Sequence, residues 1–147
     1  RMGRTVYGGG GIMPDFFVPI DTTQYTDYHR NIVAKGVVIK TTMKFIESHR
    51  KELQSKYKKF ETFNDKFEIS DEILANMQTL AEQEKIKFDE KQYQKSLPLI
   101  KTQLKALIAR DLWDMNEYFQ IMNTTDSSVL QALKVLNEGA YEKVVRL

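Results

Sequence analysis

The chain contains no cysteine, and only two of its 147 residues are histidine. The absence of cysteine excludes disulfide bonds and cysteine-ligated zinc sites, although it does not indicate a cellular compartment. His29 and His49 do not form an HExxH motif or another familiar ligand spacing. We therefore expect neither a metal site nor a bound cofactor.

Long apolar runs and an excess of one charge are also missing. No run approaches the roughly 20 apolar residues of a membrane helix, and no signal-peptide pattern opens the chain. Lys and Arg number 22 against 20 Asp and Glu, a balance that argues against a dedicated nucleic-acid binder. A hydrophobic content of 41% in 147 residues is typical of a soluble globular protein that buries a core without disulfides or metal.

One stretch predicts β-structure. Thr5–Pro19, TVYGGGGIMPDFFVP, has the composition of a strand, a glycine turn and a second strand. A phosphate-binding loop is disfavoured because Pro14, rather than a helix start with lysine, follows the glycines. A two-stranded hairpin is marginal alone, so we expect residues 1–20 to be the terminal edge of a domain whose main body lies upstream of Arg1, and 21–147 to be a helical domain.

The remaining chain has helical periodicity and predicts a mainly α, multi-helix bundle. Thr22 or Thr23 is a candidate N-cap for a first helix that stops at Gly36. The apolar stripe of the next helix is predicted at Ile39, Met43, Ile46, Leu53 and Tyr57, and a short helix at Phe60, Phe63 and Phe67. A fourth begins at an N-cap Ser70, with Ile73, Leu74, Met77, Leu80 and Ala81 on its apolar face.

The carboxy-terminal half contains the longest apolar pattern. Asp89 and Gln92 resemble a capping box, with Phe88 and Tyr93 as a hydrophobic staple. Pro98 predicts a break or kink near Ser96–Leu97, with Ser96 as a candidate cap. The pattern over Leu97–Met122 predicts the central helix of the bundle, and Thr125 or Asp126 caps a last helix that ends before Gly139.

No group of residues predicts catalysis, so no catalytic residue is assigned. His29 is expected to pack in the core and His49 to lie at the surface. Ser55 and Ser96 lack the sequence signature of a base or an oxyanion hole. Two groups have a binding and a structural interpretation, and the structural one is favoured for both. The first group is Arg110, Asp111, Trp113 and Asp114, which would form either a partner-docking face or an ion pair between helices. The second group is Lys56, Lys58 and Lys59, which would form either an anion site or a solvated face.

Two stretches resemble the carboxy-terminal (tail-specific) processing serine peptidases. Gly3–Asp15, continuing into FFVPIDTT, resembles the end of their peptidase domain, and Gly11, Ile12, Pro14 and Asp15 match its Gly-Ile-x-Pro-Asp feature. The helical part of the chain, especially Leu99–Asn123, is similar to the helical carboxy-terminal extension of Bacteroidetes-like members. Together the two resemblances cover nearly the whole chain.

The resemblance implies a secreted or periplasmic serine endopeptidase that recognises the carboxy termini of its protein substrates with a PDZ domain. Its serine, the lysine that activates it and the PDZ domain would all precede Arg1, so this chain alone is expected to be inactive. The helical part would contact the upstream PDZ and peptidase domains, support the protease core or substrate access, or form a homo-oligomer. The alternative is a free-standing helical interaction module without enzymatic activity.

Overall fold

The structure, a computed structural model, describes Gly9 and residues 16–140, and in this part of the chain it contains seven α-helices and no strand. The mainly α fold is confirmed there. The helices are α1 (Asp27–Ala34), α2 (Val37–Lys56), α3 (Phe60–Lys66), α4 (Asp71–Gln83), α5 (Glu90–Leu112), α6 (Met115–Met122) and α7 (Ser127–Asn137).

Most of the predicted strand-turn-strand segment lies outside the described residues. Gly9 has a positive φ of 95°, a backbone conformation that favours glycine, as the predicted turn requires. Residues 16–19 are described and are not part of a strand.

The chain divides into two compact units. The first, which we call the helical core unit, comprises Thr22–Thr125 and therefore contains α1 to α6. The second unit comprises the described residues among 1–21 together with those from Asp126 onward, and α7 is its helix.

Two long helices, α2 and α5, organise the helical core unit. α5 packs against α1, α2 and α6, and α2 packs in addition against α1 and α4. The prediction that α5 is central is confirmed by its buried side, which carries Ile100, Leu104, Leu107 and Ile108. Burial of such side chains away from water is the main stabilising contribution to a bundle of this kind.

Three predicted N-caps are confirmed. Ser70 accepts a hydrogen bond from Ile73 N, Asp89 from Gln92 N, and Asp126 from Ser128 N and Val129 N. The first helix is the exception, because its N-cap is Thr26 rather than Thr22 or Thr23. Thr26 is selected by a contact with α5, where its hydroxyl lies 2.7 Å from Ser96 Oγ.

Pro98 does not interrupt α5, so the predicted break and the capping role of Ser96 are wrong. The helix is continuous from Glu90 to Leu112, with Pro98 inside it. Proline removes the backbone donor that would bond Gln94 O. Pro98 and Gln94 are both exposed, so water can hydrate the carbonyl that the missing donor leaves free.

The apolar pattern over Leu97–Met122 corresponds to two helices instead of one. The backbone of Trp113 leaves the helical region (φ −126°, ψ −98°), and Asp114 then caps α6 by accepting from Met115 N. The Trp113 ring packs against Phe60 and Phe63 of α3, with ring centroids 5.8 and 5.2 Å apart. This long-range packing coincides with the end of α5 at Leu112.

An aromatic cluster joins α1 to the start of α5. The Tyr28 ring meets Phe88 and Tyr93 edge-on, at centroid distances of 5.7 and 6.0 Å, and the predicted staple between Phe88 and Tyr93 is present at 5.4 Å. The Tyr28 hydroxyl is buried and has no hydrogen-bond partner among the described residues. Burial, together with Tyr93 and Glu82 nearby, raises the pKa of Tyr28 to about 12.

Tyr28→Phe is expected to leave the free energy of unfolding unchanged or to raise it by up to about 1 kcal/mol near neutral pH, because it removes a buried hydroxyl without a partner. Because the pKa of Tyr28 is higher in the folded state than in the unfolded state, this group stabilises the fold at pH values below its unfolded pKa of about 10. That stabilisation is lost as the pH rises towards 12. The substitution should therefore weaken alkaline destabilisation in that window.

Thermal unfolding followed by circular dichroism, near neutral pH and between about pH 10 and 12, checks both expectations. Tyr25→Phe is the matched control, because Tyr25 is 44% exposed. A loss of stability near neutral pH in the Tyr28 variant would show that its hydroxyl has a partner after all.

Candidate contact surface

His29 is a structural residue of the α1–α5 contact. It is 3% exposed, and its ring meets Tyr25 edge-on at 5.6 Å, as expected for a core position. Its Nε2 lies 3.0 Å from Gln103 Oε1 on α5. Because the amide oxygen accepts, Nε2 carries the hydrogen, and the buried Nδ1 has no partner within the described residues.

His49 is half-buried on α2, so it is less exposed than the sequence predicts. Its ring stacks on Phe45 with centroids 4.5 Å apart, and Nδ1 lies 3.0 Å from the Phe45 carbonyl and 2.9 Å from Ser48 Oγ. These contacts are all within one helix. The two histidines therefore make separate contacts, His29 with α5 and His49 within α2, and do not form a pair.

Ser96 is fully buried and connects α5 to the segment before α1. Its hydroxyl donates to the Gln24 carbonyl at 2.7 Å, and the Thr26 hydroxyl lies 2.7 Å from its oxygen. Since the single hydrogen of Ser96 is used on Gln24, Thr26 is the donor in the second bond. The Ser96 hydroxyl is thus used to fix α1 on α5. Ser55 lies exposed on α2.

The members of the predicted polar-aromatic group do not act together in the structure: Arg110, Asp111, Trp113 and Asp114. Asp111 forms the predicted type of inter-helix ion pair, with Arg50 of α2: Arg50 Nη2 lies 3.0 Å from Asp111 Oδ1, and Nη1 donates to the Asp111 carbonyl at 2.9 Å. Trp113 is half-buried and packs against the core, and Asp114 caps α6. The ion pair fixes α2 against the end of α5.

The lysines likewise differ in their roles, because some are exposed and one connects two helices. Lys56, Lys58 and Lys59 are exposed, and Lys56 Nζ lies 5.4 Å above the Tyr57 ring. Lys105 donates to the Asn64 carbonyl at 2.7 Å and lies 5.9 Å from the Phe63 ring. Burial lowers the pKa of Lys105, and Glu68 and Asp65 oppose this shift. Its ammonium connects α5 to α3.

A surface groove of about 780 Å³ lies along α2 beside the Arg50–Asp111 pair. Met43 and Ile46 form its apolar part, and Glu47, Lys51 and the ion pair form its polar part. Met43 is 60% exposed, and Ile39, one turn earlier, is 45% exposed. We call Ile39, Met43 and this groove the α2 surface.

The exposure of Ile39 and Met43 corrects the predicted apolar stripe of α2. The helix buries Thr41 and Thr42 in their place, because each threonine hydroxyl donates to a carbonyl of its own helix, Thr41 to Val37 O at 2.8 Å and Thr42 to Ile39 O at 2.8 Å. Such bonds satisfy the hydroxyl inside a core. The remaining predicted positions, Ile46, Leu53 and Tyr57, are buried.

The helix that carries the α2 surface has an excess of basic side chains. α2 carries five basic and two acidic side chains, and Lys40, Lys44 and Lys51 follow one side of the apolar stripe at helical spacing. Lys40 is paired with Glu84 at 2.6 Å, an interaction that lowers the Glu84 pKa. An apolar strip with a polar rim is typical of a protein-contact surface.

Sequence reasoning missed Arg50 and the exposed pair Ile39 and Met43. The available signal was the Thr41–Thr42 dipeptide four residues after Val37–Val38, since threonine can bond back by one turn and occupy the core. Among the residues that the structure describes, no three His, Cys, Asp or Glu side chains are placed to hold a metal ion. In the same part of the chain, no helix is both long and apolar enough to cross a membrane.

Comparison with known proteins gives one family. The sequence model of a family of unknown function, DUF8443, matches residues 28–114, which is more than half of the chain and spans α1 to α5. The match includes the α2 surface and the Arg50–Asp111 pair. No curated protein and no solved structure matches the chain. The chain belongs to the family of unknown function DUF8443.

Proposed function

We propose that this chain is the non-catalytic carboxy-terminal part of a secreted or periplasmic serine endopeptidase of the carboxy-terminal processing type. The serine, its activating lysine and the PDZ domain lie upstream in the same polypeptide. The helical part supports the protease core, controls substrate access or mediates self-association. The resemblance of Gly3–Asp15 and Leu99–Asn123 to that family supports the proposal.

A contact function is supported by the placement of the polar and apolar side chains. Ser96, His29, Asp111 and Lys105 all make bonds between helices or to the segment before α1. Large apolar side chains are in contrast exposed in groups of two or three on α2, α6 and α7: Ile39 and Met43 on α2, Met115 and Phe119 on α6, and Leu130, Leu133 and Leu136 on α7. Exposed apolar groups of this extent favour contact with another protein surface.

A free-standing interaction module is the second candidate. It is favoured by the extent of the family match, because residues 28–114 lie wholly inside the helical core unit and exclude the strand-like segment. In that case the α2 surface would bind a separate protein. The two candidates differ in whether a peptidase domain is encoded with this chain.

Incubation of the purified chain with an unfolded protein such as casein tests the non-catalytic assignment. We expect no cleavage above that of a mock preparation. Cleavage that follows the chain through purification would contradict the proposal.

Deletion of residues 24–147 from the full-length polypeptide tests the supporting role. We expect a change in its stability, assembly or substrate choice. The double substitution Ile39→Glu and Met43→Glu should change the same property with the fold intact. Ala75→Glu with Asn76→Glu, at exposed positions of α4, is the matched control. A full-length enzyme unaffected by the deletion would refute the supporting role.

A further inference from the structure

The segment before α1 and the last helix belong to one compact unit, although the helical core unit separates them along the chain. Described residues among 1–21 form its first part, and residues from Asp126 onward, which include α7, form its second part. We call it the discontinuous unit. The chain thus leaves this unit, folds into α1 to α6 and then returns to it, so the helical core unit is inserted between the two parts.

Phe16 and Val18 make the contact that joins the two parts of the discontinuous unit. They line an apolar groove of about 310 Å³ together with Ala132 and Val135 of α7. Phe17, which stands between them, is not among the lining residues and is 81% exposed. Such alternation is typical of an extended chain, whose successive side chains point to opposite sides. The last helix therefore packs on one side of this segment.

An extended segment of this kind fits the edge of a sheet. Residues 16–19 belong to neither a helix nor a strand. Their backbone N–H and C=O groups need hydrogen-bond partners, which a neighbouring strand would supply. The composition of Thr5–Pro19 predicts strands, and a helix packed on one face of a sheet is a common layer arrangement in α/β domains. The last helix has the place of such a helix beside this segment.

We propose that α7 is part of the upstream peptidase domain and packs on the edge of its sheet, at the strand to which residues 16–18 belong. The helical core unit is then an insertion that precedes the last helix of that domain. The proposal rests on the proposed function, because it requires a peptidase domain upstream of Arg1. It also names the element of this chain that supports the protease core.

Stability of the purified chain separates α7 from the helical core unit. Val135→Glu places a charge in the apolar groove, which is unfavourable unless the charge is paired. Lys134→Glu, at the adjacent exposed position, is the matched control. Trp113 is the single tryptophan and packs on Phe63 inside the helical core unit, so its fluorescence reports on that unit alone. Neither variant should shift the thermal midpoint of this signal by more than about 2 °C.

In the full-length polypeptide the same variants report on the peptidase domain. Casein cleavage after a brief heat challenge gives the temperature at which half of the activity is lost. Val135→Glu should lower this temperature by at least about 5 °C, and Lys134→Glu by less than about 2 °C. Val135→Ala adds no charge and should lower it by a smaller amount than Val135→Glu, so the test does not depend on a variant that folds poorly.

Two results would overturn the inference and leave the proposed function standing. If Val135→Glu lowers the Trp113 midpoint of the purified chain by about 5 °C or more, the last helix supports the helical core unit instead. If the full-length enzyme cleaves casein and all three variants lose half of their activity at the same temperature as the unchanged enzyme, α7 does not support the peptidase domain. A full-length polypeptide that does not cleave casein refutes the proposed function itself, and this inference with it.

Discussion

Phe63→Ala is expected to lower the free energy of unfolding of the helical core unit by about 3–5 kcal/mol, the largest effect of any single substitution considered. Phe63 is fully buried on α3. Its ring stacks on Phe67 at 4.6 Å, meets Tyr57 edge-on at 5.5 Å and lies 5.2 Å from Trp113. The side chain therefore connects α3 with the ends of α2 and α5.

The loss of stability in Phe63→Ala has two physical causes. Removal of the ring loses the free energy of transferring it out of water, and it leaves a cavity that the surrounding rings can fill only in part. Trp113 loses one of its two α3 neighbours as well, so the turn between α5 and α6 should become more mobile.

Chemical denaturation followed by circular dichroism and Trp113 fluorescence measures this effect. Phe119→Ala is the matched control, because the same side chain is removed from a position that is 54% exposed, and it should change stability by less than about 0.5 kcal/mol. If the two variants lost equal stability, the aromatic cluster would not be the core that the structure indicates.

Ser96→Ala is expected to destabilise the unit by about 1–2 kcal/mol, even though alanine is the better helix former by about 0.5 kcal/mol. The substitution removes the donor of the Gln24 carbonyl next to a fully buried position. The Thr26 hydroxyl loses its 2.7 Å bond to Ser96 and keeps as acceptor only the Gln92 carbonyl at 3.4 Å. Thr26 also caps α1, so the loss extends to the start of that helix.

Thr102→Ala provides the control on the same helix. The Thr102 hydroxyl donates only to Pro98 O of its own helix at 3.0 Å, so its removal should be neutral or slightly stabilising. Denaturant midpoints of the two variants give the comparison. A neutral Ser96→Ala would mean that the contact between α1 and α5 does not depend on this hydroxyl.

Local chemistry explains which parts of the fold the sequence predicts. Ser70, Asp89 and Asp126 cap their helices because each cap needs only a backbone N–H within three residues. Gly36, with a φ of 69°, ends α1 as expected, since glycine adopts the left-handed conformation without a side-chain clash. Helix periodicity likewise places Ile100, Leu104 and Ile108 in the core.

The errors have a common cause in long-range contacts. The end of α5 coincides with the packing of Trp113 on Phe60 and Phe63, which are far away in sequence. Thr26 replaces Thr22 or Thr23 as the cap because Ser96 is beside it in space. No local pattern contains this information.

The candidate contact surface was predicted only in part. The interpretation of Asp111 as one member of an ion pair between helices is confirmed, but its partner Arg50 is 61 residues away and carries no local signal. Ile39 and Met43 were assigned to the core because apolar residues at helical spacing usually lie there. Their exposure follows from the burial of Thr41 and Thr42, which the three-dimensional packing decides.

The coding sequence upstream of Arg1 is the most direct test of the peptidase assignment. We expect it to encode a PDZ-like segment followed by a peptidase domain in which a serine precedes a lysine, continuous in frame with Gly3–Asp15. An initiator methionine close to Arg1, with no such segment, would contradict the peptidase assignment. The helical core unit would then be a free-standing interaction module.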